Sequence, residues 1–157
     1  MKRYLFICLC LILSFSSFKA EKKTVCELAA FIEDPDGSNA QMIDSGLSTE
    51  EFKACDEENQ KKCIKIVENQ VIEGTQGGNF SLSLDKDEYT IGDVLCDKAD
   101  AVQENVRNKM VQIYWRLCGS EWARTSFKMP EPLCCDDGLL CALQNAQIIN
   151  RKCVKII

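Results

Sequence analysis

Nine cysteines downstream of residue 20 constrain this chain more than any other feature: Cys26, Cys55, Cys63, Cys96, Cys118, Cys134, Cys135, Cys141 and Cys153. Cys8 and Cys10 stand apart, inside MKRYLFICLCLILSFSSFKA, where basic Lys2 and Arg3 precede an apolar run from Tyr4 to Leu13 and then small residues. That is the pattern of a secretory signal peptide over residues 1–20, with cleavage expected after Ala20 and the alternative after Ser16. The run is too short to span a bilayer comfortably, and no later stretch is apolar enough, so no membrane span is expected. An exported chain meets an oxidising compartment, and its cysteines read as a disulfide framework. Zinc fits poorly, because the chain has no histidine and its mature part has no C-x-x-C pair. Nine is odd, so one sulfur is left free or joins another chain through an intermolecular disulfide.

The remaining residues, 21–157, fit one domain large enough to bury a core. Between Cys96 and Cys118, Ala99, Val102, Val106, Met110, Ile113 and Leu117 recur at steps of three and four. At about 100° per residue they fall within roughly 40° of one line, which predicts an amphipathic helix. Asp97 is placed to cap its start and Gly119 to end it. Such a helix is roughly 30 Å long, whereas a disulfide needs Cα atoms within about 7 Å, so Cys96 and Cys118 must bond to other segments. The helix then becomes a strut.

Two more helices are expected before it. TVCELAAFIE, residues 24–33, is broadly apolar with Thr24 as a cap, and Pro35-Asp36-Gly37 supplies the stop. Ser48-Thr49-Glu50-Glu51 has the form of a capping box and opens a helix through about Asn69, with Glu57–Lys61 and Glu58–Lys62 as i,i+4 pairs. On it, Cys55 and Cys63 sit about 12 Å apart and need separate partners. After a glycine-rich linker, Phe80, Leu82 and Leu84 alternate with serines, and with Tyr89 and Ile91 suggest a small β-hairpin. Pro130 and Pro132 argue for an irregular crossing segment, Asp136-Asp137-Gly138 for a turn, and Leu139, Leu140, Leu143 and Ile148 for a short amphipathic piece. Vicinal Cys134 and Cys135 would be strained if bonded to each other and should point to different partners. The expected fold is mainly α, a disulfide-cross-linked helical domain with a small hairpin.

Removing residues 1–20 leaves 16 basic residues against 24 acidic ones, a net charge of −8. Nucleic acid and anionic membrane surfaces, which recruit clustered Lys and Arg, are disfavoured partners. Without histidine, Ser-His-Asp and Cys-His catalysis are excluded, and no phosphate-cradling glycine motif is present. The chain is therefore not expected to be an enzyme, and no metal or cofactor is implied. Asn79-Phe80-Ser81 is a glycosylation sequon at Asn79. Trp115 lies about 180° from the apolar stripe of the strut helix. Either the tail folds over it with Trp122, or Trp115 and Trp122 with Arg116 or Arg124 form exposed anchors for a protein partner, residue types enriched at binding hot spots.

The leader, the acidic mature chain, its cysteine content and the CC-x5-C pattern at Cys134, Cys135 and Cys141 together resemble cysteine-rich secreted arthropod venom proteins, loosely the larger centipede scoloptoxins. That resemblance implies a venom toxin acting on an unidentified target such as an ion channel. The expectation is a secreted, disulfide-stabilised binding protein. The alternative is an extracellular carrier of a small apolar ligand, a helical cage of the odorant-binding kind lined by Phe52, Ile66, Val106 and Met110.

Overall fold

A computed structural model describes residues 24–84, 89–141, 146–149 and 152–155. The expected signal peptide, Leu143 and the Cys153 side chain lie outside what is described. The elements run β1 (Thr24–Glu33), β2 (Gln41–Phe52), α1 (Glu57–Gly74), α2 (Ile91–Asp100), β3 (Met110–Leu117), β4 (Ala123–Lys128), β5 (Cys135–Asp136), β6 (Leu139–Leu140), β7 (Ala146–Ile149) and β8 (Lys152–Lys155). Strand predominates over helix, which overturns the expected mainly α fold. The principal sheet has the order β2-β1-β3-β4 and is antiparallel throughout, while β5–β6 and β7–β8 form separate two-stranded pairs.

β1 is central because its two faces serve different purposes. Cys26, Leu28, Ala30 and Ile32 face one way, Glu27, Ala29, Phe31 and Glu33 the other, as strand geometry requires. β3 matches it across an unbroken register from Cys26 opposite Leu117 to Glu33 opposite Met110. Val111, Ile113, Trp115 and Leu117 of β3 therefore share the inner face with the first set. α1 lies on that face, and Cys63 and Val67 pack with Cys26, Phe52, Ile113, Trp115 and Leu117 in one buried cluster. A second cluster joins Ile32, Val111 and Ile43 to Phe80, Cys96, Ala99, Val106, Leu133 and Cys135 around α2. Ala30, Val71 and Phe127 touch both clusters, so the core is continuous. Each fully buried Ile, Leu or Val contributes about 1.5–3 kcal/mol over exposure.

Three disulfides bolt the helical layer to the strands. Cys26–Cys63 ties β1 to α1, Cys55–Cys118 ties the entry to α1 to the end of β3, and Cys96–Cys135 ties α2 to β5. The loops they close span 37, 63 and 39 residues, for which chain entropy lost by the unfolded state would give about 4 kcal/mol each. Cys141 is also disulfide-bonded. The odd thiol is Cys134, buried beside its bonded neighbour Cys135. The separate partners expected for Cys55 and Cys63, and for Cys96 and Cys118, are therefore observed. Cys134 is 7% exposed, so an intermolecular bond through it would require the surrounding chain to open.

The helix predictions fail in distinct ways. Residues 24–33 are β1, with apolar residues on both faces: Cys26, Leu28, Ala30 and Ile32 on one, Ala29 and Phe31 on the other. Ser48 to Phe52 close β2, and the helix begins later, capped by Asp56, whose carboxylate accepts from the Asn59 N–H at 2.8 Å. Its predicted Glu57–Lys61 and Glu58–Lys62 pairs form at 2.6 and 2.7 Å. The strut splits into α2 and β3, separated by a loop in which Asn105 and Asn108 adopt φ of 57° and 51°. Those left-handed values cannot continue a helix. In place of the predicted hairpin, Ser83 and Thr90 make one isolated antiparallel bridge. The turn at Asp136-Asp137-Gly138 does form, joining β5 to β6.

α2 carries a full capping box: Asp93 N–H donates to the Thr90 hydroxyl at 3.2 Å, and Thr90 N–H donates to the Asp93 carboxylate at 3.0 Å. The other Asp93 oxygen accepts from Leu140 N–H at 2.9 Å, which docks β6 on the helix start. Burial pushes the Asp93 carboxyl up, but the Thr90 hydroxyl and the backbone N–H groups together hold it below the usual range. Replacing Asp93 with Ala should lower stability by about 1–2 kcal/mol at neutral pH. Because the folded-state pKa is depressed, this contribution is full above the unfolded carboxylate pKa and is lost as pH falls through the folded value. Denaturant titrations of both proteins should thus converge in acid. Alkylation in denaturant without reductant should label Cys134, and labelling of the native protein should leave that residue unmodified.

Candidate interaction face

The sheet face turned away from α1 carries no described helix. It is built from Glu27, Phe31 and Glu33 of β1, Tyr114 and Arg116 of β3, Arg124 of β4 and Trp122 in the β3–β4 turn. Phe31 and Tyr114 stack across the strands with ring centroids 4.2 Å apart, and Trp122 meets the Phe31 ring edge-on at 6.2 Å. Arg116 lies over the Trp122 ring, 4.3 Å from its centroid, and an Nη of Arg116 donates to Glu27 at 2.6 Å. Its Nε is buried without a hydrogen-bond acceptor among the described residues.

Arg124 repeats this arrangement at the other end of the cluster. Its Nε donates to the Tyr114 hydroxyl at 2.7 Å, and one Nη reaches Glu33 at 2.8 Å and the Gly37 carbonyl at 2.6 Å. The Tyr114 hydroxyl oxygen and the neighbouring Glu33 carboxylate hold the Arg124 guanidinium more firmly protonated than usual. A β-bulge aims this residue. Gln112 pairs with Lys128 and Tyr114 with Arg124, so Thr125, Ser126 and Phe127 together oppose Ile113. The buried Gln112 amide lies within hydrogen-bonding distance of the carbonyls of Ile113, Thr125 and Phe127, at 3.1, 3.1 and 2.9 Å. It fills bonds that the bulge takes from the ladder. Gly37 adopts φ of 83° in the β1–β2 turn, and a Cβ there would stand 3.1 Å from an Arg124 nitrogen.

Each guanidinium is thus held between a carboxylate and an aromatic residue before any partner arrives. Cation–π contact contributes about 0.5–1 kcal/mol at exposed sites. The order it imposes matters more here, because side chains already fixed lose little entropy on binding. Both carboxylates are engaged by arginines, so the face offers shape and paired charge. Met42 and Leu47 of the neighbouring edge strand are 45% and 61% exposed, which extends the apolar surface.

Three of the four anchors expected from sequence, Trp122, Arg116 and Arg124, come together here. Trp115 does not: it is 9% exposed and packs beneath α1 on the inner face. Adjacent residues of a strand point to opposite sides, so Trp115 and Arg116 could not share a surface. Phe127, in the segment expected to fold over Trp115, packs against the same cluster. Phe31, Tyr114, Glu27 and Glu33 were missed, although the alternation in Val111-Gln112-Ile113-Tyr114-Trp115-Arg116-Leu117 carries the signal. Of the residues proposed to line a ligand cage, Phe52 and Val106 are buried in two different core clusters.

Two other polar clusters lie around β5. Asp100, Glu104, Asn105, Cys135, Asp136 and Asp137 line an open cleft of about 320 Å³, but no described group of three acidic or sulfur side chains is arranged to hold a metal ion. Beside it, Arg107 places one Nη 3.2 Å from the Cys134 sulfur and 3.4 Å from that of Cys141, and the other 3.3 Å from Asp136. The Cys134 sulfur, foremost, raises the Arg107 pKa. No described helix is long and apolar enough to cross a membrane. No protein-family model, curated protein or solved structure matches the chain.

Tyr114 is the keystone of the face. Removing only its hydroxyl, in Tyr114→Phe, should destabilise the fold by about 1 kcal/mol. Tyr114→Ala, which also removes the ring between Phe31 and Arg124, should cost about 3 kcal/mol. Chemical denaturation of the two variants measures both steps.

Proposed function

We propose that this is a secreted, disulfide-stabilised binding protein that uses the open sheet face to engage an extracellular protein target. The observation that carries this reading is the prearranged Phe31–Tyr114–Trp122 cluster with Arg116 and Arg124 locked against Glu27 and Glu33. Trp, Tyr and Arg are the residue types that dominate binding energy at protein interfaces. Their fixed geometry favours recognition of a surface of matching shape, with polar groups that can replace or share the two ion pairs. The disulfides serve this reading by holding the sheet's other face to α1 without help from the target. A venom component acting on a target such as an ion channel is one setting that suits such a binder, and it rests on the sequence resemblance alone. The carrier alternative loses ground because Phe52 and Val106, two of the residues proposed for its cavity, are packed in different core clusters.

Saturable binding of labelled, exported protein to intact target-tissue membranes tests the assignment. Trp122→Ala should weaken it by roughly 30-fold or more, as expected for a hot spot worth about 2 kcal/mol. Lys61→Ala, on the exposed side of α1, should leave it unchanged. Equal binding by the native protein and folded Trp122→Ala would remove this face from the function.

A further inference from the structure

We infer that Asn79 carries an N-linked glycan, an inference that rests on the export reading above. It is the sole asparagine of the chain in an N-x-S/T sequence, followed by Phe80 and Ser81. The tripeptide occupies the connection after α1, where Asn79 and Ser81 are exposed and Phe80 between them is 4% exposed, buried against the core. Phe80 thereby anchors the segment and turns its flanking side chains to solvent.

The backbone adds a second observation. Asn79 Oδ1 accepts from the Ser81 N–H at 3.0 Å, an Asx turn that brings the hydroxyl-bearing residue back towards the side-chain amide. Asn79 N–H donates to the Thr75 carbonyl and its own carbonyl accepts from Leu82 N–H, which fixes the turn, and the residue is exposed. In the modification, Nδ2 attacks the anomeric carbon of an oligosaccharide carried on a lipid diphosphate. The new bond is N–C, the bond broken joins that carbon to the diphosphate oxygen, the lipid diphosphate leaves, and Nδ2 loses one proton. The folded chain accommodates the product, since Asn79 is exposed.

The position also agrees with a free sheet face. Phe80 packs with Cys96, Ala99 and Ile32 in the cluster on the helix side. A glycan there hydrates the helix side of the sheet, whereas Phe31, Tyr114 and Trp122 belong to the other side.

The full 157-residue chain expressed in a eukaryotic secretory host supplies the test, by intact mass of protein from the medium before and after peptide N-glycosidase. The expected result is a hexose- and N-acetylhexosamine-bearing species that the enzyme converts to the bare chain, with Asp at position 79. Asn79→Gln and Ser81→Ala should each abolish it, and Ser81→Thr should retain it. Disulfide-bonded protein exported without glycan overturns this inference and leaves export standing. Reduced, unmodified protein retained in the cytosol overturns the export reading and the glycan together.

Discussion

The antiparallel pairing of β1 with β3 is the constraint on which everything else in the molecule depends. Slipping β1 by one residue against β3 would turn Cys26, Leu28 and Ile32 to the open side and bring Glu27 and Glu33 beneath α1. The buried charges alone would make the slipped state untenable. Apolar burial therefore fixes the register, and Cys26–Cys63 makes the choice covalent: the sulfur on β1 must face the helix for the bond to close. Cys55–Cys118 fastens the same end of the sheet a second time, because Leu117, the residue before Cys118, stands directly opposite Cys26. The open face inherits its order from this inner one. Glu27 meets Arg116 across the strands because Cys26 meets Leu117.

Much of this was legible in the sequence, and the misreading has a physical cause. Ala99, Val102, Val106, Met110, Ile113 and Leu117 fit a helical stripe, yet only Ala99 lies in a helix. From Val111 onward the same letters fit period two better, with β-branched and aromatic residues enriched, which is the preference of strands. Two asparagines, Asn105 and Asn108, interrupt the run, and asparagine tolerates the left-handed backbone that separates α2 from β3. Helical periodicity over a long window outweighed these local breaks. In residues 24–33 the ambiguity was more basic, since alanines and a cysteine do little to separate the two periods.

The cysteine arithmetic survived the wrong fold because it rested on distance and count. Cys96 and Cys118 do not pair with each other, Cys55 and Cys63 have different partners, and one thiol is left over, although the predicted strut does not exist. What count could not reveal was which sulfur stays reduced. That depends on which sulfurs the fold brings within bonding distance, and Cys134 is the one left unbonded and buried. The candidate face shows the same division. Trp122, Arg116 and Arg124 could be named by residue type, but their carboxylate partners come from β1, 89 and 91 residues distant in sequence.

The bulge in β4 shows how a local irregularity becomes part of a surface. In a regular ladder, Tyr114 would face Ser126, two residues past Gln112's partner Lys128, and Arg124 would fall beyond the tyrosine hydroxyl. Extra residues opposite Ile113 bring Arg124 level with Tyr114. They also disrupt the ladder, and the Gln112 amide and Thr125 hydroxyl replace those bonds from inside. A buried glutamine in the middle of a strand is costly unless its polar atoms are satisfied. Here it is satisfied by the very carbonyls the bulge exposes. Gln112 and the arginine on the open face are thus two parts of one arrangement: without the glutamine the bulge would relax towards a regular ladder, and Arg124 would move away from Glu33, Tyr114 and Gly37.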